Sequence, residues 1–313
     1  MRLYYAGDIH GSERCWRKFL NAAGFYEADV LVLGGDLTGK ALVPVVERRP
    51  GEWAAHVLGR DEVARGEERL AELEKRIRFN GFYPYRCSED EYRRLEADEE
   101  HRERVVTEVV CRELERWLAL VDEKLAGSNI RCLVMPGNDD ELEIDSVLER
   151  AERVENPDGR VLRVGDYQIL SCGWTNPTPW HTTRELPEDE LEAKLEGIAT
   201  ALEPDTPAIF NLHCPPYDSG LDMAPWLTDD LGVVVKGGEP VLIPAGSRAV
   251  RAVIERYQPL LGLHGHIHES RNAATIGRTL CLNPGSVYAE GVIDGVLVDL
   301  DGDRIVRDQF VQG

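Results

Sequence analysis

The sequence predicts an α/β fold with a layered core. Three observations carry that prediction. Short apolar, β-branched runs recur along the chain, helical patterns lie between several of them, and five of the runs end in polar residues of metal-ligating type. The first run, "RLYYAGDIH" (2–10), ends in Asp8 and His10 and is followed by a helical pattern over 13–23. "DVLVLGGD" (29–36) ends in Asp36, "RCLVMPGND" (131–139) presents Asn138, and "AIFNLH" (208–213) ends in His213. A helical pattern over 247–257 leads into "LLGLHGHIH" (260–268), which carries His266 and His268. Apolar runs of about four to eight residues bounded by Gly or Pro read as buried strands. In layered α/β cores ligands sit beyond the carboxyl ends of the strands, so all five polar clusters are expected there. Three further strand-like runs, 160–174, 278–287 and 295–311, predict a second and more antiparallel sheet, with Asp301-Gly302 as a hairpin turn.

Residues 44–126 interrupt this pattern and predict a helical insertion, of hairpin form, within a single domain spanning 1–313. Over 60–78 a charged stretch carries Val63, Leu70, Leu73 and Ile77 on a narrow stripe. From Val105 to Leu125 apolar residues recur at a firm helical period. Ser88 followed by Glu91 resembles a capping box. Phe79, Phe82, Tyr83, Tyr85 and Tyr92 are expected to pack this insertion. A solvated decoration, a lid and an oligomer contact are all open readings of it.

Composition bounds the function. Hydrophobic residues at 42% and charged residues at 30% fit a globular chain. No stretch reaches the roughly 18 apolar residues of a membrane span. The apolar pattern starts at Leu3, which leaves no room for a signal peptide and leads us to expect a cytoplasmic protein. Seven scattered cysteines without a C-x-x-C pair fit reduced thiols. A net charge of −21 repels polyanions and argues against long nucleic acid as the ligand. The segment 44–126 holds 21 acidic and 16 basic residues, net −5, so −16 of the charge lies elsewhere and the acidity is not one tail.

The candidate site residues are the strand-end groups. In Asp8-x-His10 the two side chains share a face of an extended chain and can reach one ion. The Asp36 carboxylate has two oxygens and can bridge two ions. Asn138 offers a hard neutral oxygen, and His213, His266 and His268 offer imidazoles suited to Mn, Fe, Zn or Ni. Gly34–Lys40 also spells a near P-loop, but Ala41 stands where Ser or Thr would bind Mg²⁺, and Pro44 sits where a helix would have to run. The glycines are better explained as letting the chain turn sharply beyond a strand to present Asp36.

The ordered set Asp8-x-His10, Gly35-Asp36, Gly137-Asn138, His213 and Gly265-His266-x-His268 resembles the signature of the calcineurin-like metallophosphoesterases. Within that superfamily "GGDLTGKAL", "LHCPPYDSGLD" and "GHIHESRN" with "LNPGS" resemble the Icc-like predicted phosphoesterases. The resemblance covers nearly the whole chain except the insertion. It implies a two-sheet β-sandwich flanked by helices and two divalent metal ions. Asp8, His10 and His268 would hold one ion, Asn138, His213 and His266 the other, with Asp36 bridging. It implies hydrolysis of a small phosphate ester, a diester first, by a hydroxide shared between ions about 3.5–4 Å apart. A phosphomonoesterase, a pyrophosphatase and a catalytically weak, metal-containing regulatory or binding protein remain as alternatives. One position departs from the family: Asp139 stands where a His usually serves the leaving group, which leaves the source of that proton open. Asp140, Lys40, His264 and Arg271 are candidates for substrate contact or for support of the ligands.

Overall fold

The structure, a computed structural model, describes residues 1–228 and 230–313. Along the chain come β1 (Arg2–Ala6), α1 (Glu13–Phe25) and β2 (Val30–Gly34). The interrupting segment follows, with β3 (Leu42–Arg49), β4 (Glu52–Val57), β5 (Arg60–Arg65), α2 (Glu67–Phe79), β6 (Tyr83–Ser88), α3 (Glu89–Ala97) and α4 (Glu99–Lys124). The core resumes with β7 (Arg131–Met135), α5 (Ile144–Glu149), β8 (Arg160–Val164), β9 (Tyr167–Cys172), α6 (Glu188–Ala199) and β10 (Ala208–Leu212). Four short strands form two small ribbons: β11 (Met223–Pro225), β12 (Val235–Lys236), β13 (Glu239–Pro240) and β14 (Leu242–Pro244). Last come α7 (Arg248–Tyr257), β15 (Leu261–Leu263), β16 (Asn272–Ile276), β17 (Thr279–Asn283), β18 (Asp294–Asp301) and β19 (Arg304–Gln312).

Two sheets pack face to face. One has the order β19-β18-β1-β2-β7, the other β16-β17-β15-β10-β9-β8. The alternation of side chains along each strand divides the core. Leu3, Tyr5, Val30, Val32 and Leu133 of the first sheet meet Ile169, Ile209, Leu261, Leu263 and Leu282 of the second. The intervening Tyr4, Ala6, Leu31, Leu33 and Val134 face α1 and α4. On the far side Leu170, Phe210, Leu212 and Cys281 are covered by α6 and α7. Strands buried on both faces read as unbroken apolar runs, which is why they stood out in the sequence. The result is the expected two-sheet sandwich flanked by helices.

Three expectations are corrected. The second sheet is not the more antiparallel one, because β9, β10, β15 and β17 pair parallel and only its edge strands β8 and β16 pair antiparallel. The run 295–311 does not join the second sheet. It forms the β18–β19 hairpin, and β18 pairs antiparallel with β1 in register Leu3 to Val298. The hairpin turn itself is present, with Gly302 at φ 56° between the paired Asp301 and Arg304. The interrupting segment is also not wholly helical. Its first part is a four-stranded sheet, order β5-β4-β3-β6. Leu70, Leu73 and Ile77 of α2 cover that sheet, whereas Val63 lies on β5 and is exposed. The charges that imitate a helix face are cross-strand partners: Glu52 pairs with Arg65 at 2.7 Å and His56 with Asp61 at 2.8 Å. The helices α3 and α4 are where the pattern put them, with Ser88 capping α3 through the Glu91 N–H at 3.2 Å. The α4 stripe packs on α1, where the Trp16 and Trp117 rings stack at 5.4 Å.

Candidate metal centre

The strands β1, β2 and β7 run parallel, as do β9, β10, β15 and β17, so the loops after β1, β2, β7, β10 and β15 open on one end of the sandwich. Asp8, His10, Asp36 and His266 sit in the left-handed backbone region, at φ 54°, 40°, 49° and 67°. Such strain in non-glycine residues clusters at functional sites. The glycines beside them act by absence: a Cβ on Gly137 would strike Asp36, and one on Gly265 would strike Asp8.

The structure brings together the donors that the sequence singled out. Asp8, His10, Asp36 and His268 form one group and Asp36, His213 and His266 another, each with ligand-type atoms within 4.8 Å of one another. Asp36 belongs to both. Its Oδ2 lies 3.5 Å from His10 Nε2 and 3.4 Å from His213 Nε2, while its Oδ1 accepts the Asp139 N–H at 3.0 Å. His10 Nε2 and His268 Nε2 are 3.1 Å apart, and Asp8 Oδ1 is 3.5 Å from His268 Nε2. Asn138 Oδ1 is 3.0 Å from His213 Nε2, so Asn138 joins the second group. His213 Nδ1 faces the Gly34 carbonyl at 2.9 Å, which leaves Nε2 for the cluster.

Electrostatics fit a cation. Asp8 Oδ2 is buried without a hydrogen-bond partner. Burial resists charging His10 and His213, yet Asp139, Asp36 and Asp8 push His10 up to about 9, and Asp36 and Asp8 do the same for His213. Burial and then His213 push His266 down to about 4. Asp36 stays ionised well below the carboxylate range because His213 and His10 outweigh its burial. Negative oxygens and imidazole nitrogens converging in a largely buried cluster make a donor set suited to divalent transition metals.

The supporting candidates separate. Asp140 is fully buried, and its carboxylate is taken up by the loops that carry the donors. Its carboxylate accepts the Leu37 N–H (2.9 Å), the Thr38 N–H (2.7 Å), the Thr38 hydroxyl (2.6 Å) and the Gly137 N–H (2.8 Å), stapling the Asp36 loop to the Asn138 loop. The Leu37 and Thr38 amides are ones a P-loop would aim at phosphate, and the chain after Lys40 enters β3 rather than a helix. Lys40 Nζ donates to Asp139 Oδ1 at 2.7 Å, and Asp139 Oδ2 is 3.7 Å from His10 Nδ1. His264 is buried with Nδ1 on the Leu212 and Cys214 carbonyls, and burial lowers it to about 4. It is uncharged near neutral pH, and its Nε2 is buried without a hydrogen-bond partner. Arg271 pairs with Asp294 and lies over the Phe310 ring, so its guanidinium is committed to the β18–β19 hairpin.

Three features escaped the sequence. Tyr288 packs its ring against His10 (4.6 Å) and His268 (5.8 Å). Asn283 braces the His266 turn through the Gly265 and Ile267 carbonyls. The loop 175–186 reaches over from the second sheet to Asn138, with Thr182 accepting from the Asn138 side chain at 2.8 Å. Asn283 lies in the LNPGS stretch, which gave no hint of its role; Tyr288 and Thr182 have no spacing signal, and the TTRE stretch over 182–185 reads only as polar loop.

No family model matches the chain. The Methanocaldococcus jannaschii protein MJ1162, described as uncharacterized, is 30% identical over 183 residues, which cover 56% of this chain and 75% of that protein. Among solved structures, TT1561 of Thermus thermophilus superposes with a TM-score of 0.55 at 16% identity, over 100% of this chain and 97% of that one, a likeness of fold. YfcE, a phosphoesterase from E. coli, is 13% identical over 99% of this chain and 98% of that one at a TM-score of 0.36, too loose a fit to bear on function. The chain belongs to the same family as MJ1162, and its two-sheet fold and the ordered residues at its five strand ends resemble those expected of the calcineurin-like metallophosphoesterases.

Proposed function

We propose that the protein is a metal-dependent phosphoesterase that hydrolyses a phosphodiester. The observation that carries this reading is the shared position of Asp36, whose carboxylate lies at 3.4–3.5 Å from a histidine of each donor group. Asp8, His10 and His268 would hold one divalent cation, Asn138, His213 and His266 a second, and Asp36 both; Mn, Fe, Zn and Ni suit these donors. Such a pair, when bound, supplies Lewis acidity and an activated water for attack on phosphorus.

The chain's own residues shape the rest. Lys40 places an ammonium at the rim, but Asp139 at 2.7 Å and Glu141 at 3.9 Å offset it. A rim with two carboxylates to one ammonium favours a singly charged diester over a doubly charged monoester. Beside Lys40 opens a groove of about 840 Å³ that Glu141, Glu143 and the α4 residues Arg104 and Thr107 help to line. We assign it to the leaving portion of the ester, which makes the interrupting segment part of the substrate site. Asp139 accepts from Lys40, so the donor nearest the rim is the Lys40 ammonium rather than a carboxyl group. The seven free cysteines favour a reducing compartment, and we place the protein in the cytoplasm on that ground.

The test is a paired assay on chelator-stripped protein with Mn²⁺ restored. Turnover of bis-nitrophenyl phosphate above mono-nitrophenyl phosphate supports the diesterase. The reverse order supports a monoesterase, and two bound cations without turnover of either ester would point to a binding protein.

A further inference from the structure

We propose that Thr182 and Glu185 orient the Asn138 amide, aiming its oxygen at the second cation's site; the inference rests on the two-cation reading above. Asn138 matters to that site only through its oxygen, because the lone pair of the amide nitrogen is delocalised into the carbonyl and is not available to a cation. An amide can turn either way unless a neighbour decides.

The loop 175–186 decides by a count of hydrogens. Glu185 is fixed as an acceptor. Its Oε1 accepts the Thr182 N–H at 2.8 Å and the Thr182 hydroxyl at 2.6 Å, and its Oε2 accepts the Thr178 N–H at 3.0 Å. The Thr182 hydroxyl has a single hydrogen, and Glu185 takes it. What Thr182 Oγ1 has left for Asn138, at 2.8 Å, is lone pairs, so the group facing it must be the Asn138 –NH₂. The amide oxygen therefore points the other way, toward His213 Nε2 at 3.0 Å. A flipped amide would set an oxygen against Thr182 with no hydrogen between them.

The same loop holds the Asn138 backbone. Arg184 N–H donates to the Asn138 carbonyl at 3.1 Å, and the fully buried Arg184 side chain donates to the Asp140 carbonyl at 3.0 Å and the Glu141 carbonyl at 2.9 Å. The position of Asn138 is thus set through Arg184 and its amide orientation through Thr182. Thr182 is a positioning residue that acts through Asn138.

The experiment measures Mn²⁺ affinity of stripped, full-length protein by chelator competition, with stoichiometry by elemental analysis. Thr182→Val keeps the shape and removes the hydroxyl. We expect one cation to bind as in wild type and the other about 10–100-fold more weakly, the scale for partners that orient metal ligands. Thr182→Ser restores affinity. In an Asn138→Ala background Thr182→Val adds no further loss, a result that loop damage alone would not give. Two cations bound by Thr182→Val with wild-type affinity would overturn the inference, as would an equal loss in the Asn138→Ala background. A wild-type chain that binds fewer than two cations overturns the two-cation reading itself, and this inference with it.

Discussion

Replacing Asp36 by Asn removes one negative charge with little change of shape. The Asp139 N–H that Asp36 Oδ1 accepts at 3.0 Å can still be accepted by the amide oxygen. What is lost is the field on both histidines. In the metal-free protein His10 and His213 are held at about 9 against an ordinary 6.5, His213 by Asp36 and then Asp8, His10 by Asp139, Asp36 and Asp8 together, so the whole difference is an upper bound on the part Asp36 supplies. That difference is worth about 3 kcal/mol per histidine. A unit charge pair about 4 Å apart in a partly screened interior is worth about 4 kcal/mol, so the two scales agree. Each cation held with the help of His10 or His213 should lose at most a similar amount, up to about a thousandfold in affinity. The assay is a Mn²⁺ titration of stripped Asp36→Asn protein beside wild type, with NMR titration of the histidines. The histidines should fall toward 6.5, and affinity should drop at both sites. Loss at one site only would refute a shared role for Asp36. Diester turnover at the wild-type rate would refute the mechanism.

Three further predictions can be checked on the same protein. The metal-free chain should be most stable near pH 6.5. His10 and His213, raised to about 9, stabilise it fully below 6.5 and less as pH rises to 9, while His264 and His266, lowered to about 4, cost stability as pH falls below 6.5; a flat melting profile from pH 5 to 9 would contradict this. Asp139→His should raise kcat on esters with poor leaving groups, and unchanged kcat across leaving groups would remove position 139 from the proton question. Trp117→Ala should cost about 3–5 kcal/mol, because Trp117 is buried against Trp16 and fills the contact between α4 and α1; chemical denaturation measures it, and a loss below about 1 kcal/mol would show that α4 packs weakly.

The strand ends were legible because burial on both faces writes strands as unbroken apolar runs, and each run then stops at a polar residue. Nothing comparable marks pairing. The run 294–301 finds its partner in residues 2–5, and no local pattern says whether it adds to the first sheet or the second. The strands β4 and β5 were hidden for a different reason. With charges answered across the ladder by Glu52–Arg65 and His56–Asp61, they need little apolar alternation and imitate a solvated helix. At the site, the ligand types announced themselves and Asp140 could be named beside them, but what the supports hold could not be read. Asp140, Thr182 and Asn283 work by accepting from or donating to loops far away in sequence, a function that any Asp, Thr or Asn could have. Lys40 and Asp139 were each visible as single charges; that they are a pair follows only from the fold.

The place of β1 has a consequence for how the molecule is made. It lies between β2, which is nearby in sequence, and β18, which is not, and Arg2 is tied to Asp299 at 2.7 Å. His10 and His268, which face one another in the finished site, are separated by 258 positions. Contacts that distant form slowly. A nascent chain therefore exposes Asp8, His10 and Asp36 long before their partners exist, and a complete cation cage should be a late event of folding. Shortening the 294–312 hairpin should accordingly slow or abort the acquisition of metal by residues near the other end of the sequence.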